Sequence, residues 1–239
     1  MSTIFALATA PGRAGVAIVR LSGPAAAASL AALMGSLPQP RHAQRARFRD
    51  PVSGEVIDDG LALFFPGPRS VTGEDVVELQ IHGSRAVISA LLAVLGRLPG
   101  LRLAEPGEYT RRAFENGKLD LTAAEGLADL VAAETAAQRR QAQHQLAGEL
   151  GRLYESWREG LLRALARVEA EIDFPDEGLP GHIWRDVNEY IQYIVSTISD
   201  HLADDRRGER LRDGVAVAII GPPNAGKSSL INAIARRDV

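Results

Sequence analysis

Pro11-Gly12-Arg13-Ala14-Gly15-Val16-Ala17-Ile18-Val19-Arg20-Leu21-Ser22-Gly23-Pro24 decides how the first half of the chain is read. A glycine-rich turn leads into Val16–Leu21, an apolar run bounded by turn residues and therefore predicted as a strand. Ser22-Gly23-Pro24 ends that run, and the Ala/Leu-rich stretch Ala25–Met34 behind it is predicted as a helix. Working outward, Ile4–Ala8, Leu61–Phe65 and Val76–Ile81 read as further strands and Val87–Leu98 as a second helix. Strands interleaved with helices over residues 1–118 give an α/β or an α+β domain, and periodicity leaves the two open.

The chain has 239 residues, which suggests one or two domains with room for part of a third. Hydrophobic residues are 46% and charged residues 24%, which excludes wholesale disorder. Aromatics are only 5%, so the core must rely on Leu, Val, Ile and Ala. A net charge of −3 argues against coating nucleic acid by bulk charge, and no basic stripe stands out to mark where RNA would lie. With no cysteine there is no disulfide, thiolate zinc site or cysteine nucleophile. No apolar run approaches ~18 residues and no signal core follows Met1, so a soluble cytoplasmic protein without a membrane partner is expected.

Charge divides the chain into three blocks. Residues 1–118 carry 13 Lys/Arg and 10 Asp/Glu, residues 119–213 carry 11 and 19, and residues 214–239 carry 3 and 1. The middle block has 12 alanines in residues 121–170 and no proline between Pro106 and Pro175. Leu146, Leu150, Leu153, Trp157, Leu161, Leu165, Val168 and Ile172 recur at three- and four-residue steps, one stripe of a long amphipathic helix. After a break at Asp173–Gly181, a second stripe runs through Val187, Tyr190, Ile191, Ile194, Ile198 and Leu202. Such stripes are expected to form the core of a helical bundle.

The last block holds the sharpest chemistry. Val215–Ile220 is a continuous apolar run, as for a strand buried on both faces. It leads into Gly221-Pro222-Pro223-Asn224-Ala225-Gly226-Lys227-Ser228, which fits G-x-x-x-x-G-K-[ST], and then into a helical start at Ser229-Leu230-Ile231-Asn232. Glycines let backbone N–H groups turn inward around phosphate oxygens. Lys227 brings a point charge to the β/γ-phosphates, Ser228 can ligate Mg²⁺, and the helix directs its positive end at the anion. This is a nucleotide-binding loop.

Three longer strings carry a family resemblance. They are Thr3-Ile4 with Ala10-Pro11 to Ser22-Gly23, then Thr72-Gly73-Glu74-Asp75-Val76-Val77-Glu78-Leu79-Gln80-Ile81-His82-Gly83, then Pro106-Gly107-Glu108-Tyr109 to Asp120-Leu121. With Ile172-Asp173-Phe174-Pro175 and the loop Gly221 to Asn232, they resemble, in order and over essentially the whole chain, the MnmE (TrmE) family of tRNA modification GTPases. Ser84, Val71 and Tyr109 depart from that family's usual Gly, Tyr and Phe.

The resemblance implies an α+β N-terminal domain (1–118) that binds folate, is similar to the aminomethyltransferase of glycine cleavage and mediates dimerisation. It implies a helical bundle domain (119–213) and the first strand, phosphate loop and helix start of an α/β Ras-like GTP-binding domain (214–239). Switch loops, a guanine-reading motif and a C-terminal cysteine motif do not occur among the residues, so the chain is expected to be a fragment that binds folate and does not hydrolyse GTP.

The resemblance also implies the site residues. Taken alone, Arg20 is a solvated strand-end arginine, Glu78 a carboxylate on a strand's polar face and Lys118 a lysine beside the Asn116-Gly117 turn. At the family's positions, Arg20, Glu78 and Lys118 become ligands of 5-formyl- or 5,10-methylene-tetrahydrofolate, whose glutamate tail suits cations and whose pterin N–H groups suit a carboxylate. Arg13 and His82 are secondary candidates. Asn224, Ala225, Gly226, Lys227, Ser228 and Ser229 are expected to hold GTP, with Asn224 on K⁺ and Ser228 on Mg²⁺. The implied function is a homodimeric GTPase that works with the flavoprotein MnmG, in a heterotetramer, on the tRNA wobble position to give 5-carboxymethylaminomethyluridine. The alternative is a GTP-regulated dimeric scaffold without direct chemistry on tRNA.

Overall fold

In the computed structural model, residues 2–173, 183–203, 208, 218–223 and 225–235 are described, and the chain divides into two units, Met1–Ala124 and Glu125–Val239. The first unit is built on β1 (Thr3–Leu7), β2 (Ala14–Ser22), α1 (Ala26–Met34), β3 (Gln44–Arg49), β4 (Val56–Phe65), β5 (Val76–Gly83), α2 (Arg85–Leu95), β6 (Leu101–Leu103) and α3 (Glu108–Glu115). The six strands form one sheet in the order β3-β4-β5-β2-β1-β6. Neighbours are antiparallel except β1 and β6, so the domain is α+β.

Period-two alternation divides the sheet between two environments. Phe5, Val19, Leu21, Phe48, Ala62, Val77, Leu79 and Ile81 are buried on one face, where Leu30 and Leu33 of α1 and Leu91 and Leu95 of α2 cover them. Ile18 and Arg20 of β2, Leu61 and Leu63 of β4 and Glu78 and Gln80 of β5 alternate with that set and stand on the other face. The polar groups of interest therefore sit opposite the core. Gly23 makes one close crossing possible. Its φ is 133°, and a Cβ there would stand 2.7 Å from Thr3 Cα. Thr3 Oγ1 accepts from the Ala25 N–H (2.7 Å) at that crossing, just ahead of α1. Ser84 caps α2 by accepting from the Val87 N–H (3.2 Å).

Three elements go beyond the sequence reading: β3, β6 and α3. β3 was hidden because only Ala46 and Phe48 are apolar in Gln44-Arg45-Ala46-Arg47-Phe48-Arg49. β4 also starts at Val56 rather than Leu61, and α2 ends at Leu95 rather than Leu98.

The second unit contains most of α4 (Leu121–Ala132), then α5 (Ala136–Leu146), α6 (Glu149–Asp173), α7 (Ile183–Leu202) and α8 (Lys227–Ala235). Two expectations are corrected here. The single helix expected through Leu146 and Leu150 is two, because Gly148 adopts a left-handed φ of 79° between α5 and α6. The residues buried on α6 are Gly160 and Ala164, not the large members of the stripe, and Leu161, Leu165 and Ile172 are exposed. Close approach explains this. A Cβ on Gly160 would stand 3.1 Å from Ile194 Cδ1, so α7 meets α6 over its small residues. The break at Phe174–Gly181 and Val215–Val217 of the expected strand lie outside the described residues. Ala218–Ile220 are in no regular element and Ile220 is 94% exposed, since a strand needs a neighbour to pair with and the described residues of this unit contain none. Among the described residues no helix is long and apolar enough to cross a membrane.

Candidate functional site

Antiparallel register sets Arg20 of β2 directly opposite Glu78 of β5. Arg20 Nε and Nη2 both donate to Glu78 Oε1, at 3.0 and 2.7 Å. The side chains are 31% and 19% exposed, so the pair is partly desolvated yet reachable. Glu78 Oε2 and Arg20 Nη1 have no hydrogen-bond partner among the described residues, which leaves one acceptor and one donor for a ligand. Tyr109 of α3 supports the pair. Its hydroxyl donates to the Arg20 carbonyl oxygen at 2.5 Å, and the Arg20 guanidinium lies 5.9 Å from the ring centroid. Burial raises the Tyr109 phenol above its ordinary value, so it remains a donor at neutral pH.

A charged network fixes α3, and with it Tyr109. Glu108, 2% exposed, accepts from Arg102 (2.5 and 2.8 Å), from Arg112 (3.0 and 3.3 Å) and from the Glu105 N–H (2.9 Å). The Arg102 hydrogen bonds are the first cause that pulls its carboxyl down to about 2. Arg112 also donates to both oxygens of Glu74 (3.1 and 3.0 Å) and to the Ser2 carbonyl (3.0 Å). Glu74 in turn accepts from the Ser22 hydroxyl at 2.7 Å, two residues beyond Arg20. Sequence reasoning missed this network. Its local signal was Glu108 and Arg112, one turn apart on a short helix.

Lys118 belongs to the same neighbourhood by way of Gly73. That glycine has a φ of 81°, and a Cβ there would stand 3.2 Å from Lys118 Cε, so the lysine stem lies over the Thr72–Glu74 turn. The turn is tied to β2 through Thr72 and Ser22, whose hydroxyls are 2.7 Å apart. The structure thus joins Arg20 directly to Glu78 and sets Lys118 on the adjoining turn. His82 follows Glu78 on β5 but is anchored to Asp58, with its Nδ1 2.9 Å from Oδ1. Arg13 is exposed in the turn before β2.

In the second unit Lys227 begins α8 and folds back on its own loop, where Nζ donates to the carbonyls of Gly221 (3.0 Å) and Pro222 (2.7 Å). Gly226 has a φ of 82°. Ala225, Ser228 and Ser229 are exposed, and Asn224 lies outside the described residues. Among the described residues no three His, Asp or Glu side chains form a group that could hold a metal.

Comparison with known proteins places both units. Residues 3–118 match the family described as the GTP-binding protein TrmE N-terminus, and residues 121–238 match the MnmE helical domain. The chain is 63% identical over its whole length to the tRNA modification GTPase MnmE of Parvibaculum lavamentivorans and 58% identical to that of Rhodospirillum rubrum, in each case covering 55% of that protein. It is 55% identical over 98% of its length to a mitochondrial 5-taurinomethyluridine-tRNA synthase subunit of Danio rerio, of which it covers 47%. The chain spans about half the length of the curated relatives it matches. Matches to both family descriptions, covering nearly every residue, place the chain in the MnmE (TrmE) family.

Proposed function

We propose that the N-terminal domain binds a reduced folate at Arg20, Glu78 and Lys118 and serves tRNA modification at the wobble uridine. The Arg20–Glu78 pair carries this reading. It is partly shielded, it keeps one free acceptor and one free donor, and it lies on the sheet face opposite the core. These groups suit a tetrahydrofolate: Glu78 Oε2 can accept from ring N–H groups, and Arg20 and Lys118 can take the carboxylates of the glutamate tail. When bound, 5-formyl- or 5,10-methylene-tetrahydrofolate would supply a one-carbon unit. The chain's own residues bind and orient it, with Tyr109 holding Arg20 in place.

The similarity of the first domain to glycine-cleavage aminomethyltransferase belongs to this proposal. So do homodimerisation through that domain, a cytoplasmic setting, and partnership with the flavoprotein MnmG toward 5-carboxymethylaminomethyluridine. Residues 214–239 are read as the beginning of a GTP-binding domain, in which Asn224 to Ser229 hold the nucleotide, Ser228 ligates Mg²⁺ and Asn224 ligates K⁺. Lys227 is poised for phosphate because a phosphate oxygen can replace the loop carbonyls it now bonds. The 239 residues are proposed to bind folate without hydrolysing GTP, since hydrolysis also needs a group that orients water and a closed base pocket.

Calorimetry with 5-formyltetrahydrofolate and no nucleotide tests the reading. Arg20→Ala is expected to cost about 1.5–3 kcal/mol, a tenfold or greater loss of affinity. Unchanged binding in that variant would remove Arg20 from the site, and no binding by the unaltered chain would overturn the folate reading.

A further inference from the structure

β3 is an edge strand, and Arg45, Arg47 and Arg49 occupy its exposed alternate positions while Ala46 and Phe48 are buried between them. Three guanidinium groups thus stand in one row along the border of the sheet, spaced about 6.6–6.8 Å apart by the strand repeat. That step is commensurate with the distance between successive phosphates of an RNA strand. Arg41 extends the row at its N-terminal end, where its guanidinium lies over the Phe65 ring at 5.8 Å.

The row keeps an excess of positive charge. Three of the nearby carboxylates are already engaged, Asp50 with Arg97 at 2.8 Å, Asp58 with His82 at 2.9 Å and Asp59 with Arg47 at 3.0 Å, which leaves Glu55 as the acid facing the four arginines Arg41, Arg45, Arg47 and Arg49. Arg45 has no hydrogen-bond partner among the described residues, and Arg49 donates to the carbonyl of Gly54 (3.1 Å), which leaves its charge uncancelled. The Arg47 hydrogen bond first, and then the charges of Arg47, Arg45 and Arg49, hold the Asp59 carboxyl below its ordinary value, which places all three arginines around one acid. A charged edge also discourages edge-to-edge pairing of sheets.

Register relates the row to the candidate pocket. Arg45 stands opposite Leu61, Leu61 opposite Gln80, and Gln80 opposite Ile18, two residues before Arg20. The row and the Arg20–Glu78 pair therefore share one face of the sheet, two strand spacings (about 10 Å) from the row to the Glu78 strand and three (about 14 Å) to the Arg20 strand. We infer that the arginine row of β3 is a docking track for the phosphodiester backbone of tRNA and leads that backbone across the sheet face toward the Arg20–Glu78 pair. This rests on the reading that the chain serves tRNA modification. Guanidinium forks suit phosphate, and contacts of this kind position a nucleic acid without reading its bases.

The experiment measures binding of an unmodified tRNA transcript to the full 239-residue chain between 50 and 200 mM salt. Arg45→Gln combined with Arg49→Gln is expected to weaken binding and to reduce the slope of log affinity against log salt by about 1.4–1.8. Asp59→Asn releases Arg47 and is expected to steepen that slope by about 0.7–0.9. Slopes unchanged in both variants, or no tRNA binding by the unaltered chain at the lowest salt, overturn the track. Calorimetric folate binding by the same variants separates the two readings. If it persists while the slopes stay fixed, the track fails and the pocket stands. If it is absent from the unaltered chain while the slopes move as expected, the pocket fails and the track stands.

Discussion

The sheet domain and the helical unit bury their apolar residues to very different degrees. In residues 1–124, Phe5, Leu21, Leu30, Phe48, Leu79, Leu91 and Leu95 are all essentially inaccessible, and they come from six different elements. Among the described residues of the helical unit, the buried apolar side chains are Ala142, Ala164 and Ile194, while Leu161, Leu162, Leu165, Tyr193 and Val195 are exposed. The first unit is held by side chains that meet only after long stretches of chain are brought together. The second is held by local helix hydrogen bonds, by close approaches at Gly126 (α4 to α5) and Gly160 (α6 to α7), and by the ring contacts of His201 with Tyr154 and Trp157. A helix's hydrophobic stripe therefore does not by itself say that the stripe is covered.

The contrast can be broken most forcefully in the sheet. Phe48→Ala empties a site with no accessible surface and is expected to destabilise the first unit by about 3–5 kcal/mol. Both tryptophans, Trp157 and Trp184, lie in the second unit, so their fluorescence transition should stay in place while hydrogen exchange in β3 to β5 accelerates. A matching shift of the tryptophan transition would mean that the two units unfold together.

A somewhat smaller loss is expected from Glu108→Gln, which leaves Arg102 without its carboxylate and Arg112 with Glu74 alone, and should cost on the order of 3 kcal/mol. The pH dependence has a definite sign. The Glu108 carboxyl lies near 2 when folded, against an ordinary value of 4.5, so its contribution is present above about 4.5 and is lost as pH falls toward 2. Acid titration of stability should therefore be flatter over that window in the variant than in the unaltered chain. An equally steep titration in both would show that other carboxylates govern it.

The smallest effect is expected at Leu161, which belongs to the α6 stripe yet is 47% exposed. Leu161→Gln should change the stability of the helical unit by no more than about 0.5 kcal/mol, as read from the tryptophan transition. A loss of more than about 2 kcal/mol would show that this face is covered in solution.

Legibility in the sequence followed the range of the interactions. The Val16–Leu21 and Val76–Ile81 runs and the Ala25–Met34 helix announce themselves through neighbouring side chains, and β2, β5 and α1 follow those positions closely. The G-x-x-x-x-G-K-S motif at Gly221–Ser228 is equally local, a fixed spacing of Gly, Lys and Ser. β3 was not legible, since its alternation is carried by arginines, and without the strand its three guanidinium groups do not form a row. The supporting roles of Tyr109 and Glu108 were hidden for the same reason, because their partners Arg20 and Arg102 lie on other elements.

From the order of residues alone came a mixed first domain, a helical second one and a nucleotide-type loop, because local periodicity and turn chemistry set which elements form. Only the tertiary structure decided that Arg20 faces Glu78 across 58 residues of chain, and that strand order places the arginine edge on the same face as that pair. It also decided that α6 meets α7 through Gly160 rather than through its leucines. Strand register and helix contact are settled by which apolar faces can be buried together, and that depends on residues far apart in the chain.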